Sequence, residues 1–277
     1  MTSAAERLRA RGLRPKKRLG QNFLQDPAIC RAIAEAATPV VGGSALEIGP
    51  GLGALTAPLL ARCGRVVAIE RDGDLVPLLE ESFAAELAAG TLTLRHADAL
   101  EVDWQAELAA MPAPRALAGN LPYFITGALL EEATACAELV DVAVFMIQAE
   151  VAARLLAAPG TDAYGALTVF VQAAFGVAKL TTVRGGAFFP RPDVDSTVVV
   201  LTPSRPRRAV ETEAFRAAVR AAFGMRRKTL RNAWRGLYGW SPAELADAAV
   251  RAGVSLDARG ETLAVEDFAR LAALAPA

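Results

Sequence analysis

The chain has 277 residues, 53% of them hydrophobic, enough for one large domain and a smaller second one. Its 30 Lys and Arg residues balance its 30 Asp and Glu residues, which excludes a uniformly basic nucleic-acid-binding coat. No apolar run approaches the roughly 18 residues of a membrane span, and the basic N-terminus lacks the apolar centre of a secretory signal, so the protein is expected in the cytoplasm.

The neutral total hides an uneven distribution. Residues 1–20 hold seven Arg and Lys against one Glu, and residues 205–235 hold ten against two Glu. Residues 66–110 carry ten acidic groups against two Arg. Two basic ends on a neutral chain are compatible with a polyanion bound along one face, or with solvated helix faces. Cys30, Cys63 and Cys136 have neither metal-ligand nor disulfide-framework spacing and read as small packing residues, and no metal is expected.

In chain order, a basic arm over residues 1–25 comes first. The apolar runs at 44–49, 65–70, 91–98, 114–120 and 141–148 then read as strands, with helical spacing over Ala54–Arg62, Asp72–Ala89 and Thr126–Ala137 between them. This β-α alternation predicts an α/β fold, a doubly wound and mainly parallel sheet with helices on both faces. Tyr164–Phe175 reads as a helix, followed by strands at 178–183 and 196–203 flanking a Pro- and Phe-rich loop. The prolines at 203 and 206 mark a linker, so the catalytic domain is expected over residues 26–203. Glu211–Phe223, Arg226–Leu237, Pro242–Ala252 and Val265–Leu274 then predict a small all-helical domain over 207–277, the third helix starting with a Ser241–Glu244 capping box.

Glycines 49, 51 and 53 follow the first of these strands and precede a helix, where the chain must turn sharply and let a ligand approach. Their spacing is G-x-G-x-G. It differs from the dinucleotide G-x-G-x-x-G, which disfavours a nicotinamide dehydrogenase, and no Lys-Ser/Thr follows to make a P-loop. Acidic residues stand at neighbouring strand ends: Glu47 before the first glycine, Glu70 placed for ribose hydroxyls, Asp98 placed for an adenine amine. Adenosine without a pyrophosphate, S-adenosyl-L-methionine (product S-adenosyl-L-homocysteine), suits this set best.

The stretch "AGNLPYFITG" ends another strand on an amide, a proline and an aromatic ring. The Asn120 side-chain oxygen and the Leu121 carbonyl are placed to accept from an exocyclic amine. Pro122 stiffens the turn without adding a donor, and Tyr123 offers a face for a base to stack on. His96 reads as a strand-end residue, since this chemistry does not demand an imidazole base.

Five segments, "LGQNFL" (19–24), "EIGPGLGALT" (47–56), "NLPYFIT" (120–126), "FFPRPDVDS" (188–196) and "AAFGMRRKTLRNA" (221–233), together resemble the ribosomal RNA adenine dimethyltransferase family, most closely its bacterial small-subunit (16S) branch. The resemblance spans nearly the whole chain. It implies a Rossmann-like S-adenosylmethionine-dependent methyltransferase fold acting on 16S rRNA. The implied reaction is dimethylation of two adjacent adenosines near the RNA 3′ end in 30S particles, with a part in late small-subunit biogenesis. It also implies Asn22 and Leu24 as cofactor contacts beside Gly49, Gly51, Glu70, Asp98 and Asn120. Read without it, the 21–24 segment is a hydrophobic anchor in which Phe23 and Leu24 pin a polar arm.

The family's F-x-P-x-P-x-V-x-S pattern makes Phe188 the expected second plate over the base, opposite Tyr123. Lys16, Lys17 and Arg18, together with five cations on one helix (Arg226, Arg227, Lys228, Arg231 and Arg235), are the expected RNA phosphate contacts. A monomer is the default expectation. The rivals are the related large-subunit methylase and a non-enzymatic assembly or transcription factor; the intact Glu70, Asp98 and Asn120–Tyr123 set speaks against loss of chemistry.

Overall fold

The strand runs fall where their apolar patterns place them in the computed structural model, which describes residues 3–276. They are β2 (Ser44–Ile48), β3 (Arg65–Glu70), β4 (Leu92–His96), β5 (Arg115–Asn120) and β6 (Val142–Gln148). β1 (Phe23–Leu24) lies in the arm before them, and β7 (Phe175–Val183), β8 (Phe188–Phe189) and β9 (Ser196–Pro203) follow. The seven-stranded sheet runs β4-β3-β2-β5-β6-β9-β7. β4 through β6 are parallel, and β9 returns antiparallel to β6. All five residues of β2 are buried, as a central strand covered on both faces requires. From β2 the chain runs outward through β3 and β4, then crosses back to place β5 on the other side of β2. That reversal opens a crevice at the carboxyl ends of β2 and β5.

Helices α1 (Ala4–Ala10), α2 (Pro27–Ala37), α3 (Thr56–Leu60), α4 (Val76–Ser82), α5 (Ala84–Ala88), α6 (Trp104–Ala109) and α7 (Thr126–Ala135) accompany the strands. α2 carries a legible start: the Asp26 carboxylate accepts from the Ala28 and Ile29 amides at 2.8 and 3.3 Å, with Pro27 in the first turn. The single helix expected over Asp72–Ala89 is two. Phe83 leaves helical geometry at φ −124°, ψ 30°, and its ring fills the space where a Cβ on Gly53 would stand. Asp72 precedes the helix altogether, in a turn closed by the Leu75 amide on its carbonyl at 2.9 Å.

The remaining helices are α8 (Ala149–Leu155), α9 (Ala166–Ala174), α10 (Glu213–Gly224), α11 (Leu230–Ala233), α12 (Pro242–Ala252) and α13 (Val265–Ala272). The chain divides into two compact units, residues 1–152 with 177–203, and residues 153–176 with 204–277. The expected boundary therefore shifts, because residues 153–176 join the helical unit. Tyr164, Val169, Phe170 and Ala173 are buried in one hydrophobic cluster with Phe215, Trp234 and Phe268, and the Phe170 and Phe215 rings meet edge to face at 6.3 Å. The arm likewise belongs to the sheet-containing unit, with Leu24 in that unit's core cluster.

The helix expected over Arg226–Leu237 contracts to α11. Met225 breaks α10 at φ −126°, ψ 53°, and the Lys228 amide closes a turn on the Met225 carbonyl at 2.8 Å. The amides of Leu230 and Arg231 donate to the Ala258 and Leu256 carbonyls, each at 2.8 Å. A neighbouring loop thus satisfies the first-turn donors of α11, and Gly236 in a left-handed conformation follows its end. The Ser241 capping box forms as expected, with Ser241 N to Glu244 Oε2 at 2.8 Å and Glu244 N to Ser241 Oγ at 3.3 Å. Cys30, Cys63 and Cys136 are all buried.

Phe268 is fully buried and touches the Trp234 and Phe223 rings at 6.3 and 6.0 Å. Phe268→Ala is expected to destabilise the helical unit by ~3–5 kcal/mol. A urea titration followed by tryptophan fluorescence measures this, since Trp234 reports on that core.

Candidate active site

The crevice at the β2/β5 reversal opens into a cleft enclosing about 1150 Å³, its open mouth included. The expected residues converge on it. Asn22 and Leu24 from the arm, Gly49 and Gly51 from the loop after β2, Glu70 at the end of β3 and Asp98 beyond β4 all line the cleft. So do Asn120, Leu121, Pro122 and Tyr123 from the end of β5. Parallel pairing brings them together: Ile48 is in register with Gly119, so the glycine loop and Asn120 leave adjacent strand ends side by side.

The Gly51 amide donates to Glu70 Oε2 at 2.9 Å, and the loop reaches that position with Gly51 at φ +60°, which a residue bearing Cβ rarely adopts. The Asp72 amide donates to Glu70 Oε1 at 2.7 Å, so both carboxylate oxygens are aimed by backbone. Burial nonetheless raises the Glu70 carboxyl above the usual carboxylate range against those donors. Asp98 accepts from the Leu100 amide at 3.1 Å and meets Arg71 Nη1 at 3.1 Å.

Glu47 is 1% exposed and lines the same cleft. Burial pushes its carboxyl up to about 8. Its Oε2 has no hydrogen-bond partner among the described residues, and neither has Thr56 Oγ1, whose proximity opposes the rise without closing a bond of normal geometry. An orphaned buried carboxylate on a cleft wall marks a place built for a polar ligand.

Asn120 Nδ2 donates to the Asn22 carbonyl at 2.9 Å. This bond assigns the amide's orientation and leaves Oδ1 as a free acceptor on the cleft. The next residues form a turn in which the Pro122 carbonyl takes the Ile125 amide at 3.3 Å and the Thr126 hydroxyl at 2.9 Å. The Tyr123 hydroxyl pairs with Ser196 Oγ at 3.0 Å, which holds its half-buried ring.

A clasp that the motif reading misses holds the arm. Asp72, 3% exposed, receives Lys16 Nζ and, at 2.5 Å, Gln21 Nε2, while Gln21 Oε1 takes the Lys16 amide at 2.7 Å. Lys16 also meets Asp74 at 2.6 Å. Burial pushes the Asp72 carboxyl up, but donation from Lys16, Gln21 and the Asp74 amide outweighs it and holds the group below its ordinary range. No motif in the sequence singles out Asp72, which stands two residues after Glu70.

Three expectations change. Lys16 is committed to this internal clasp, leaving Lys17 and Arg18 as the arm's exposed cations at that point. Phe188 is 4% exposed and does not line the cleft; antiparallel pairing of β1 with β8 sets it opposite Leu24 in the core cluster. Arg226, Arg227, Lys228, Arg231 and Arg235 do not share a helix, and only Arg231 lies in α11. Arg226 donates to the Asp162 carbonyl at 2.7 Å and Arg231 pairs with Asp257 at 3.0 Å, while Arg227 and Lys228 are exposed. His96 ends β4, exposed and off the cleft wall.

Two predictions follow from these carboxylates. The folded protein keeps a proton on Glu47 up to about pH 8, whereas the unfolded chain releases it near 4.5, the ordinary glutamate value, so this group lowers stability as pH rises through that window. Glu47→Gln should therefore raise the melting temperature measured at about pH 9 and change it little at about pH 5. Asp72→Asn removes a charge-assisted contact worth about 1.5–3 kcal/mol and should weaken cofactor affinity about tenfold or more. Calorimetry reads that loss, and faster tryptic cleavage at Lys17–Arg18 reads release of the arm.

Comparison with known proteins places this geometry. The model of the ribosomal RNA adenine dimethylase family matches residues 12–275. The chain is 43% identical to the ribosomal RNA small subunit methyltransferase A of Moorella thermoacetica, over 95% of this chain and 93% of that protein. It is 40% identical to the protein of the same name from Geobacter sulfurreducens, over 95% and 96% of the two chains. Among solved structures it resembles a dimethyladenosine transferase from Plasmodium falciparum, with 25% identity, a TM-score of 0.76 and coverage of 90% and 95%. It also resembles the 23S rRNA methyltransferase ErmE, with 27% identity, a TM-score of 0.64 and coverage of 91% and 98%. The fold is that of the Rossmann-like S-adenosylmethionine-dependent methyltransferases, and the chain belongs to the ribosomal RNA adenine dimethylase family.

Proposed function

We propose that this enzyme dimethylates the exocyclic amines of two adjacent adenosines near the 3′ end of 16S rRNA, within the 30S subunit or a late precursor of it, in the cytoplasm. The observation that carries the reading is the Asn120 amide, tied through Nδ2 to the Asn22 carbonyl so that Oδ1 stays available on the cleft. The small-subunit substrate is favoured over the large-subunit one because the relatives at 40–44% identity carry a small-subunit name, against 27% for ErmE.

The cleft fits S-adenosylmethionine. Glu70, with both oxygens aimed by backbone amides, would hold the ribose hydroxyls, Asp98 the adenine amine, and Asn22, Leu24, Gly49 and Gly51 the remaining walls. Bound there, the cofactor supplies an electrophilic methyl group on a sulfonium. The chain's own residues do the rest by orientation. An adenine amine is a weak nucleophile because its lone pair is delocalised into the ring. Asn120 Oδ1 and the Leu121 carbonyl accept its two N–H groups and favour a pyramidal nitrogen with an exposed lone pair. Pro122 adds no competing donor, and Tyr123, immobilised through Ser196, supplies a face for the flipped base. After alkylation the nitrogen's proton is acidic enough to leave to solvent, so no strong base is required. Lys17, Arg18, Arg227 and Lys228 are the exposed cations suited to RNA phosphates.

Asn120→Ala should retain cofactor affinity and lose about 10²–10³-fold in turnover. The assay uses isolated 30S particles beside protein-free 23S rRNA, with labelled methyl groups mapped on each. Label confined to 23S rRNA would refute the substrate assignment, and wild-type turnover in the variant would remove Asn120 from the chemistry.

A further inference from the structure

Phe124, directly after the Asn120–Tyr123 turn, is 57% exposed yet lines the cleft. Singly exposed apolar residues are ordinary; the setting of this one is not. Its ring rests on the arm at Gly20, where an added Cβ would fall 2.6 Å from Cε1 and 3.3 Å from Cδ1. Gly20 sits at φ +64°, so the arm turns there in a conformation that both favours glycine and clears the ring. The arm backbone thus supports the ring from below and leaves more than half of it in solvent. Immediately before Gly20, a 3-10 turn over Lys17–Leu19 presents Lys17 and Arg18, both exposed and without a carboxylate partner among the described residues. Lys16 is engaged by Asp72 and Asp74, so Lys17 and Arg18, three and two residues before Gly20, are the cations of that run left free. Tyr123, by contrast, is half-buried and tethered through its hydroxyl.

An exposed aromatic face flanked by unpaired cations is the arrangement that grips an unpaired nucleotide, the ring taking a base and the cations its phosphates. We propose that Phe124 is an outer stacking platform for the nucleobase that neighbours the target adenine in the RNA chain, with Lys17 and Arg18 holding the adjoining phosphates. Tyr123 is then the inner plate for the base undergoing reaction, and Phe124 holds the strand open at the mouth. This rests on the RNA adenine reading above. Since every base presents a π-face, the platform tolerates any neighbour and requires only that it be unstacked from a duplex.

The test is steady-state methylation of 30S particles by the full-length protein, with cofactor affinity measured separately by calorimetry. Phe124→Ala should raise KM for the particles about ten- to a hundredfold while kcat stays within about threefold and cofactor affinity is unchanged. Phe124→Trp should restore KM, whereas Phe124→Leu, apolar without a π-face, should not. The Lys17→Ala, Arg18→Ala double variant should flatten the dependence of KM on salt, and Phe124→Ala should leave that slope intact. Full rescue by leucine, an unchanged KM in Phe124→Ala, or a loss confined to kcat would each overturn the platform while the wild type remains active. A wild type that methylates no ribosomal RNA would overturn the underlying reading and the platform with it.

Discussion

The hydrogen bond from Asn120 Nδ2 to the Asn22 carbonyl joins residues 98 positions apart, and the geometry of the site depends on it. A primary amide is a donor and an acceptor exchanged by a half rotation; only a committed partner decides which faces the cleft. The partner sits on the arm between a 3-10 turn and the two-residue strand β1, so that stretch must itself be held. Asp72 holds it through Lys16 and Gln21, and the Asp72 amide in turn aims Glu70. Glu70, Asp72, Gln21, Asn22 and Asn120 therefore form a continuous polar circuit around the cleft. The group expected to hold cofactor ribose and the group expected to face the target amine are linked within it by hydrogen bonds and one short run of chain.

The cleft works against stability at some of its points. Glu47 and Glu70 are buried carboxylates whose charged forms are disfavoured, and Glu47 leaves an oxygen without a partner. Hydrophobic clustering offsets that cost. The sheet-containing unit buries Ile33, Leu59, Val66 and Val144 completely, and the helical unit buries Trp234, Phe268 and Val265 as fully in a cluster of its own. In the cleft that desolvation falls on polar groups that are held ready for a ligand, while most of the packing comes from residues that take no part in chemistry.

Charge is sorted in the same way. Of the three consecutive cations at 16–18, one is consumed inside the protein and two face solvent. Of the cations at 226–231, Arg226 and Arg231 have acceptors of their own while Arg227 and Lys228 stand clear. Phosphate contacts position a nucleic acid and base contacts select within it, so exposed cations and the amide of Asn120 divide the two tasks between different residues.

The sequence by itself determined the parallel sheet, the glycine loop, the strand-end positions of Glu70 and Asp98 and the Asn120–Tyr123 turn. Each of these is written in a run of a few neighbouring residues: apolar periodicity, glycine spacing, or a proline that ends a strand. Tertiary structure alone decided the Asp72 clasp, the burial of Phe188 against Leu24, the exposure of Phe124 over Gly20, and the assignment of residues 153–176 to the helical unit. It also dissolved the expected basic helix, because carbonyls of Leu256 and Ala258, more than twenty residues onward, take the amides that begin α11. In every such case the outcome is set by a partner distant along the chain. Periodicity and spacing report only which face a residue prefers, while the identity of what meets that face arises when the elements pack.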